Sequence, residues 1–153
     1  MRALIGTVLF TLLVPGSVAF WIPSWLLGRW PLGGWDVFSI PGLGLLAAGT
    51  AVYLWCAVDF VRRGHGTPAP IDAPRSLVVT GPYLWVRNPM YVAVFAILMG
   101  EALWTRSLML AGYGAIVGLL FQAFVVLHEE RALLARFGEQ YQEYRRAVPR
   151  WLP

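Results

Sequence analysis

No lysine occurs anywhere in the 153 residues; all 12 basic residues are arginine. That excludes a Schiff-base lysine and the phosphate-binding lysine of a P-loop. Cysteine is almost as scarce. Cys56 stands alone inside an apolar run, so neither an intrachain disulfide nor a CxxC redox pair can form. A quinone-coupled thiol oxidoreductase is thereby excluded, and Cys56 reads as a buried, inert thiol. Charge is short as well, at 13% of residues against about 25% in soluble domains. With 58% hydrophobic residues and mean hydropathy +0.62, the chain cannot cover a water-facing surface.

Apolar runs take the place of the missing charge. About four membrane spans of about 20 residues each use most of the chain and leave no room for a soluble Rossmann domain. The net charge of +4 and pI of about 9.7 would raise nucleic acid as a partner in a soluble protein. Here the arginines flank apolar runs, so they read as topology signals and no nucleic-acid partner is expected. The fold class expected is all-α and integral to the membrane.

The first run, residues 3–21, is interrupted by Pro15 and Gly16. It has signal-peptide features: Arg2, an apolar stretch, then Ser17-Val18-Ala19 as a small-residue cleavage site. The polytopic pattern that follows favours a retained, kinked span, since proline is tolerated where neighbours satisfy the freed backbone. Trp21, Trp25, Trp30 and Trp35 then recur like an interfacial aromatic belt. A second span covers residues 42–61. Its Gly42, Gly44, Ala47, Ala48 and Gly49 allow close approach of another helix, in the same chain or a second copy. Asp59 closes it beside Arg62 and Arg63 and reads as an interfacial carboxylate.

Residues 62–88 are too rich in proline and glycine for a long helix and predict an ordered or re-entrant, turn-rich loop. Loops of that length often bind or catalyse. A third, short span covers residues 89–103, with Pro89 in its first turn. Glu101 near its end is expected to snorkel to water. Residues 104–107 form a tight turn and a fourth span covers residues 108–127. From His128 to Arg146 apolar residues recur at helical spacing among Arg and Glu, predicting an amphipathic helix on the membrane with a break at Gly138.

Four spans put Arg2, Arg62, Arg63, Arg75, Arg87, Arg131, Arg136, Arg145, Arg146 and Arg150 on one side, and Arg29 and Arg106 on the other. The positive-inside rule makes the first side cytoplasmic, with both termini and the central loop there. A bacterial inner (plasma) membrane is the expected location, and the whole chain reads as a single membrane-embedded domain.

The antiparallel hairpin of spans three and four brings distant residues together. Arg87-Asn88-Pro89-Met90-Tyr91 enters it, and His128-Glu129-Glu130 leaves it. Glu129 and Glu130 stand four residues before Leu133 and Leu134, at the head of the apolar stripe. A carboxylate on that side needs a partner, because unpaired burial is costly. One reading is a structural ion pair with Arg87; the other is a reactive site.

Gly81-Pro82-Tyr83-Leu84-Trp85-Val86-Arg87-Asn88-Pro89-Met90-Tyr91-Val92, a hairpin, Glu129-Glu130, then Arg136-Phe137-Gly138-Glu139-Gln140-Tyr141 and Val148-Pro149 resemble the isoprenylcysteine carboxyl methyltransferase family. The wider group includes integral-membrane phospholipid methyltransferases. The likeness covers roughly residues 64–153; the first two spans match in character alone. It implies a methyltransferase using S-adenosylmethionine without a Rossmann fold, its pocket built from the loop, the hairpin entrance and the acidic pair. Carried onto this sequence, Arg75, Ser76, Leu77, Val78, Tyr83, Asn88, Pro89, Met90, Tyr91 and Glu129 would line the cofactor pocket. Arg87, Asn88, Glu130 and His128 are the candidate catalytic residues. Many members carry histidine at the position of Asn88, which keeps the hydrogen bonding without a titrating base. A substrate-binding arginine of the eukaryotic members aligns with Val125, so a prenylcysteine carboxylate loses its partner here.

Methyl transfer also suits these residue types. Glu129 can pair with the donor's ammonium, and arginine or backbone N–H groups with its carboxylate. Tyr83, Trp85 and Tyr91 can pack on adenine or face the sulfonium. A carboxylate or thiolate acceptor needs no strong base; for an amine, His65 or His128 is the candidate. No metal site is expected. The expected partners are membrane lipids and a lipophilic or small acceptor: isoprenylcysteine-like carboxylate, phospholipid amine or thiol. The alternatives are a small four-span transporter, which needs a membrane-embedded acid, and a non-catalytic adaptor with an arginine-rich face.

Overall fold

The computed structural model describes residues 2–28, 32–64 and 77–152. They form helices and turns, with no strand among them. Arg75, Ser76 and His65 lie outside the described residues. Three helical stretches are long and apolar enough to cross a bilayer: Ile5–Leu27, Ser39–Arg62 and the apolar part of Leu108–Ala147. Pro89–Thr105 is a shorter apolar helix. The protein is an all-α integral-membrane protein.

The first rod is α1 (Arg2–Leu13), a π turn over Ser17–Trp21, and α2 (Ile22–Leu27). Pro15 deprives the ladder of one N–H, and the wider turn absorbs the mismatch. The Ser17 hydroxyl donates to the Leu13 carbonyl at 2.6 Å. Helical structure therefore continues past Trp21 to Leu27, ending at Gly28 with φ 63°. Trp21, Trp25 and Trp35 project outward, and Trp30 lies outside the described residues.

The second rod, α3 (Ser39–Asp59), runs on through a π turn to Gly64. It packs along α4 (Pro89–Thr105) because small residues line the seam. A Cβ on Gly49 would stand 2.7 Å from the Ala93 carbonyl oxygen, so the backbones touch there. Gly44, by contrast, faces open space. Tyr53, Ala93, Val94, Leu98 and Val117 form the core where α3, α4 and α5 (Leu108–Phe124) meet. At the outer turn, Arg106 takes a left-handed conformation, pairs with Asp36 and lies over Phe38.

One expectation needs correcting. Glu101 does not snorkel: it is 4% exposed, because its position on α4 turns it towards the protein. The helix expected over residues 128–146 follows α5 without a gap. A π turn over Val125–Glu129 carries α5 into α6 (Glu130–Ala147), and helical angles fail at Gly138, with φ 53° and ψ −123°. The apolar stripe of α6 covers protein as well as any lipid. Tyr141, Tyr144 and Val148 form a core against Leu77 and Val79 of the central loop, with Leu133, Leu134 and Phe137 packed beside them.

Candidate functional site

Three pieces of chain converge at one end of the α4–α5 hairpin. A short 3-10 turn, Gly81–Leu84, delivers residues 85–88 to the start of α4. It is anchored on α3, where the Thr80 hydroxyl donates to Asp59 at 3.3 Å and Tyr83 packs with Cys56. The buried Asp59 thus holds the loop as well as lying near Arg62. Proline at the first position of α4 starts the helix without wasting a donor. The second piece is the π turn leading into α6, and the third is the segment after α6.

Tyr91 and Glu129 form the first contact across the hairpin, the phenol donating to Glu129 Oε2 at 2.7 Å. One residue on, Glu130 receives Arg87 Nη1 at 2.9 Å and Arg150 through Nε at 2.7 Å and Nη2 at 3.1 Å. The Arg87 and Glu130 side chains are 8% and 10% exposed, so the pair is withdrawn from water. The adjacent acids therefore differ electrostatically. Burial raises the pKa of Glu129; the Tyr91 hydrogen bond opposes that rise and the neighbouring Glu130 charge adds to it. Burial also pushes Glu130 up, but the Arg150 hydrogen bond and the charges of Arg87, Arg150 and Arg145 outweigh it and hold Glu130 low. Glu130 is committed to arginines, whereas Glu129 has a single neutral donor among the described residues.

The segment after α6 folds back over the entrance to α4. The Arg87 backbone N–H donates to the Pro149 carbonyl at 2.9 Å, and Asn88 Nδ2 donates to the Arg150 carbonyl at 3.1 Å. The Tyr144 hydroxyl donates to the Tyr83 carbonyl at 2.7 Å, and burial raises the pKa of both phenols, so they stay neutral donors. Trp151 reaches the hairpin itself. Its indole N–H donates to Gln122 at 2.6 Å, and its ring stands edge-to-face with Tyr91.

The structure thus brings together Arg87, Asn88, Pro89, Tyr91, Glu129 and Glu130 from the candidates read in the sequence. Leu77 and Val78 separate: Leu77 packs against α6, while Val78 packs with Cys56 and Tyr83. Met90 turns towards α3 and the central core. Trp85 is exposed, edge-on to Trp55. His128 is exposed, its ring beside Phe124. Arg150, Trp151 and Gln122 were not singled out by sequence; their contacts span 20 to 62 residues, beyond any helical period.

The cluster holds charges complementary to an ammonium and a carboxylate. A half-exposed carboxylate with one donor suits an ammonium. The buried Arg87 Nε has no hydrogen-bond partner among the described residues. Two apolar grooves lie away from this cluster, along the first rod. They have volumes of about 370 Å³ and about 380 Å³, and the Thr11–Tyr53 hydrogen bond lies where they adjoin.

The phospholipid methyltransferase family model matches residues 37–140, which include the loop, the hairpin and the acidic pair. The chain belongs to this family. Among its relatives, the cobalt-zinc-cadmium resistance protein CzcN of Cupriavidus metallidurans is 32% identical over 89% of this chain and 60% of its own length. The methanethiol S-methyltransferase of Mycobacterium tuberculosis is 40% identical over 90% of this chain and 50% of its own. The protein-S-isoprenylcysteine O-methyltransferase of Xenopus laevis is 38% identical over 51% of this chain and 27% of its own. The chain therefore spans about three fifths or less of these relatives. No solved structure matches.

Proposed function

We propose that this family member is an S-adenosylmethionine-dependent methyltransferase, a single membrane-embedded domain acting at the cytoplasmic face of a bacterial inner membrane. The observation that carries the proposal is the pairing of Tyr91 with Glu129 beside the arginine-locked Glu130, inside the family match. Glu129 holds the donor's ammonium. Arg87 Nε, or backbone N–H groups of the loop, hold its carboxylate. Arg75 and Ser76 of that loop remain candidates for the same pocket. The excess of arginine beside the 62–88 loop and α6 supports the cytoplasmic assignment.

When bound, the donor supplies a methyl group already activated on a sulfonium, passed to the acceptor's lone pair as the carbon–sulfur bond breaks and a neutral thioether leaves. The residues' task is then alignment, with no strong base required for a carboxylate or thiolate. Asn88 cannot act as that base, and its amide is already used to hold the Arg150 carbonyl. The acceptor is lipophilic or small. Two of the relatives named above are isoprenylcysteine O- and methanethiol S-methyltransferases, and oxygen and sulfur acceptors fit a base-poor site. Val125 is uncharged and fully buried, so that position offers no handle for a prenylcysteine carboxylate.

The test is transfer of a radiolabelled methyl group from S-adenosylmethionine to lipid and thiol extracts by purified protein in nanodiscs. A labelled product identified by mass spectrometry is expected, and lost in Glu129→Ala. Folded protein that neither binds the donor nor labels any acceptor overturns the reading.

A further inference from the structure

Trp151 lies in a segment fixed by several hydrogen bonds. Within Val148–Trp151, the Pro149 carbonyl, the Arg150 carbonyl, the Arg150 guanidinium and the Trp151 indole each bond to the α4 entrance, α6 or α5. Segments beyond a last helix are poorly ordered unless tied down in this way. The bonds place the indole against Tyr91, with centroids 6.4 Å apart and planes at 84°. Phe121 approaches Tyr91 on α5, with centroids 4.8 Å apart and planes at 62°. Two aromatic rings thus flank the residue that holds Glu129, and all three rings remain partly exposed.

Three inclined π faces beside a carboxylate attract an onium cation, because each ring face carries negative quadrupole density. We propose that Tyr91, Phe121 and Trp151 form an aromatic box for the donor's sulfonium, with Trp151 a positioning residue that discriminates charged donor from spent product. This rests on the methyl-donor reading above. It gives the segment after α6 a role in turnover, since the box favours the sulfonium and has no such preference for the neutral thioether left after transfer. Gln122 fixes the indole plane and acts through Trp151.

The test compares affinities for S-adenosylmethionine and S-adenosylhomocysteine, measured by calorimetry on the full chain in nanodiscs. A cation–π contribution of this kind is worth about 3- to 30-fold. Trp151→Ala is expected to lower the donor-to-product affinity ratio by about that factor, Trp151→Phe to restore most of it, and Gln122→Leu to lower it part-way with the ring still present. Thermal melting shows whether Trp151→Ala remains folded; if it does not, Gln122→Leu, at an exposed position, carries the comparison. Equal loss of both affinities, or no change in their ratio, overturns the box. Wild-type protein that binds neither ligand overturns the donor reading itself.

Discussion

Tyr91 donates its phenolic hydrogen to Glu129 at 2.7 Å, tying the first turn of α4 to the turn that follows α5. Two residues separated by 38 positions thereby close one end of the hairpin. Tyr91→Phe removes the bond and keeps the ring. A hydrogen bond to a charged group contributes about 1.5–3 kcal/mol, so Glu129 without it should hold an ammonium less well aligned. The expected result is donor affinity weakened by about tenfold, with a small fall in melting temperature; Glu129→Ala should abolish donor binding with the fold intact. Calorimetry and thermal melts on the same preparations check both.

Opposite pKa shifts on neighbouring acids give a pH signature. Glu129 sits above the ordinary carboxylate range, through burial first, and must be charged to hold an ammonium. Donor binding should therefore weaken as pH falls through that raised value, at a higher pH than an ordinary glutamate would give. Glu130 is held low by Arg150 and Arg87, so its stabilisation is fully present above the unfolded-state pKa and is lost as pH falls through the lower folded value. Binding should fail before stability does. A Glu129→Gln variant, weaker throughout, should lose the pH dependence of binding and keep the acid lability; Glu130→Gln should do the reverse. Titrations and melts across the acid range separate the two.

The two arginines on Glu130 should not be equivalent. The Arg87 side chain is 8% exposed and that of Arg150 is 32% exposed. Breaking a buried pair costs about 3–5 kcal/mol, while solvent screens an open one. Arg87→Ala is expected to destabilise by about 2–4 kcal/mol, somewhat below a lone pair because Arg150 still partners Glu130. Arg150→Ala should cost less, about 1 kcal/mol. A double-mutant cycle by thermal or denaturant unfolding checks the order, and the two effects should not add, because both act on one carboxylate.

Much of this site was readable because an antiparallel hairpin must bring its two ends together. Once residues 89–103 and 108–127 read as neighbouring spans, Arg87 and Tyr91 had to lie near Glu129 and Glu130. The α6 stripe was readable as apolar, but periodicity reports a face and not what covers it, and Leu77 and Val79 supply part of the cover. Position near a helix end suggested an exit to water for Glu101, yet rotation about the helix axis decides burial. Arg150 and Trp151 left no local signal at all, since their partners lie on other elements.

Glycines on α3 allow a contrast within one helix. Gly49→Ala would set a Cβ 2.7 Å from the Ala93 carbonyl oxygen, a rigid backbone atom, and separate α3 from α4. Overpacking of this kind costs about 1–3 kcal/mol. Gly44→Ala meets open space and should be neutral or stabilising by up to about 1 kcal/mol through helix propensity. Equal melting temperatures for the two variants would contradict the α3–α4 seam.

Glu101 offers the opposite kind of change, a gain in stability from losing a polar group. It is 4% exposed, and Oε2 is buried with no hydrogen-bond partner among the described residues. Such an atom costs about 1–3 kcal/mol, and within a membrane span water cannot repay it. Methionine has a similar length and flexibility and carries no such demand. Glu101→Met should raise the melting temperature and leave donor affinity unchanged, because Glu101 lies towards the far end of α4 from Tyr91. A melting temperature that falls would show that the carboxyl has a stabilising role in the fold. Unchanged stability with lost methyl transfer would instead assign it to the acceptor's path, and the labelled-transfer assay on the same variant distinguishes the two.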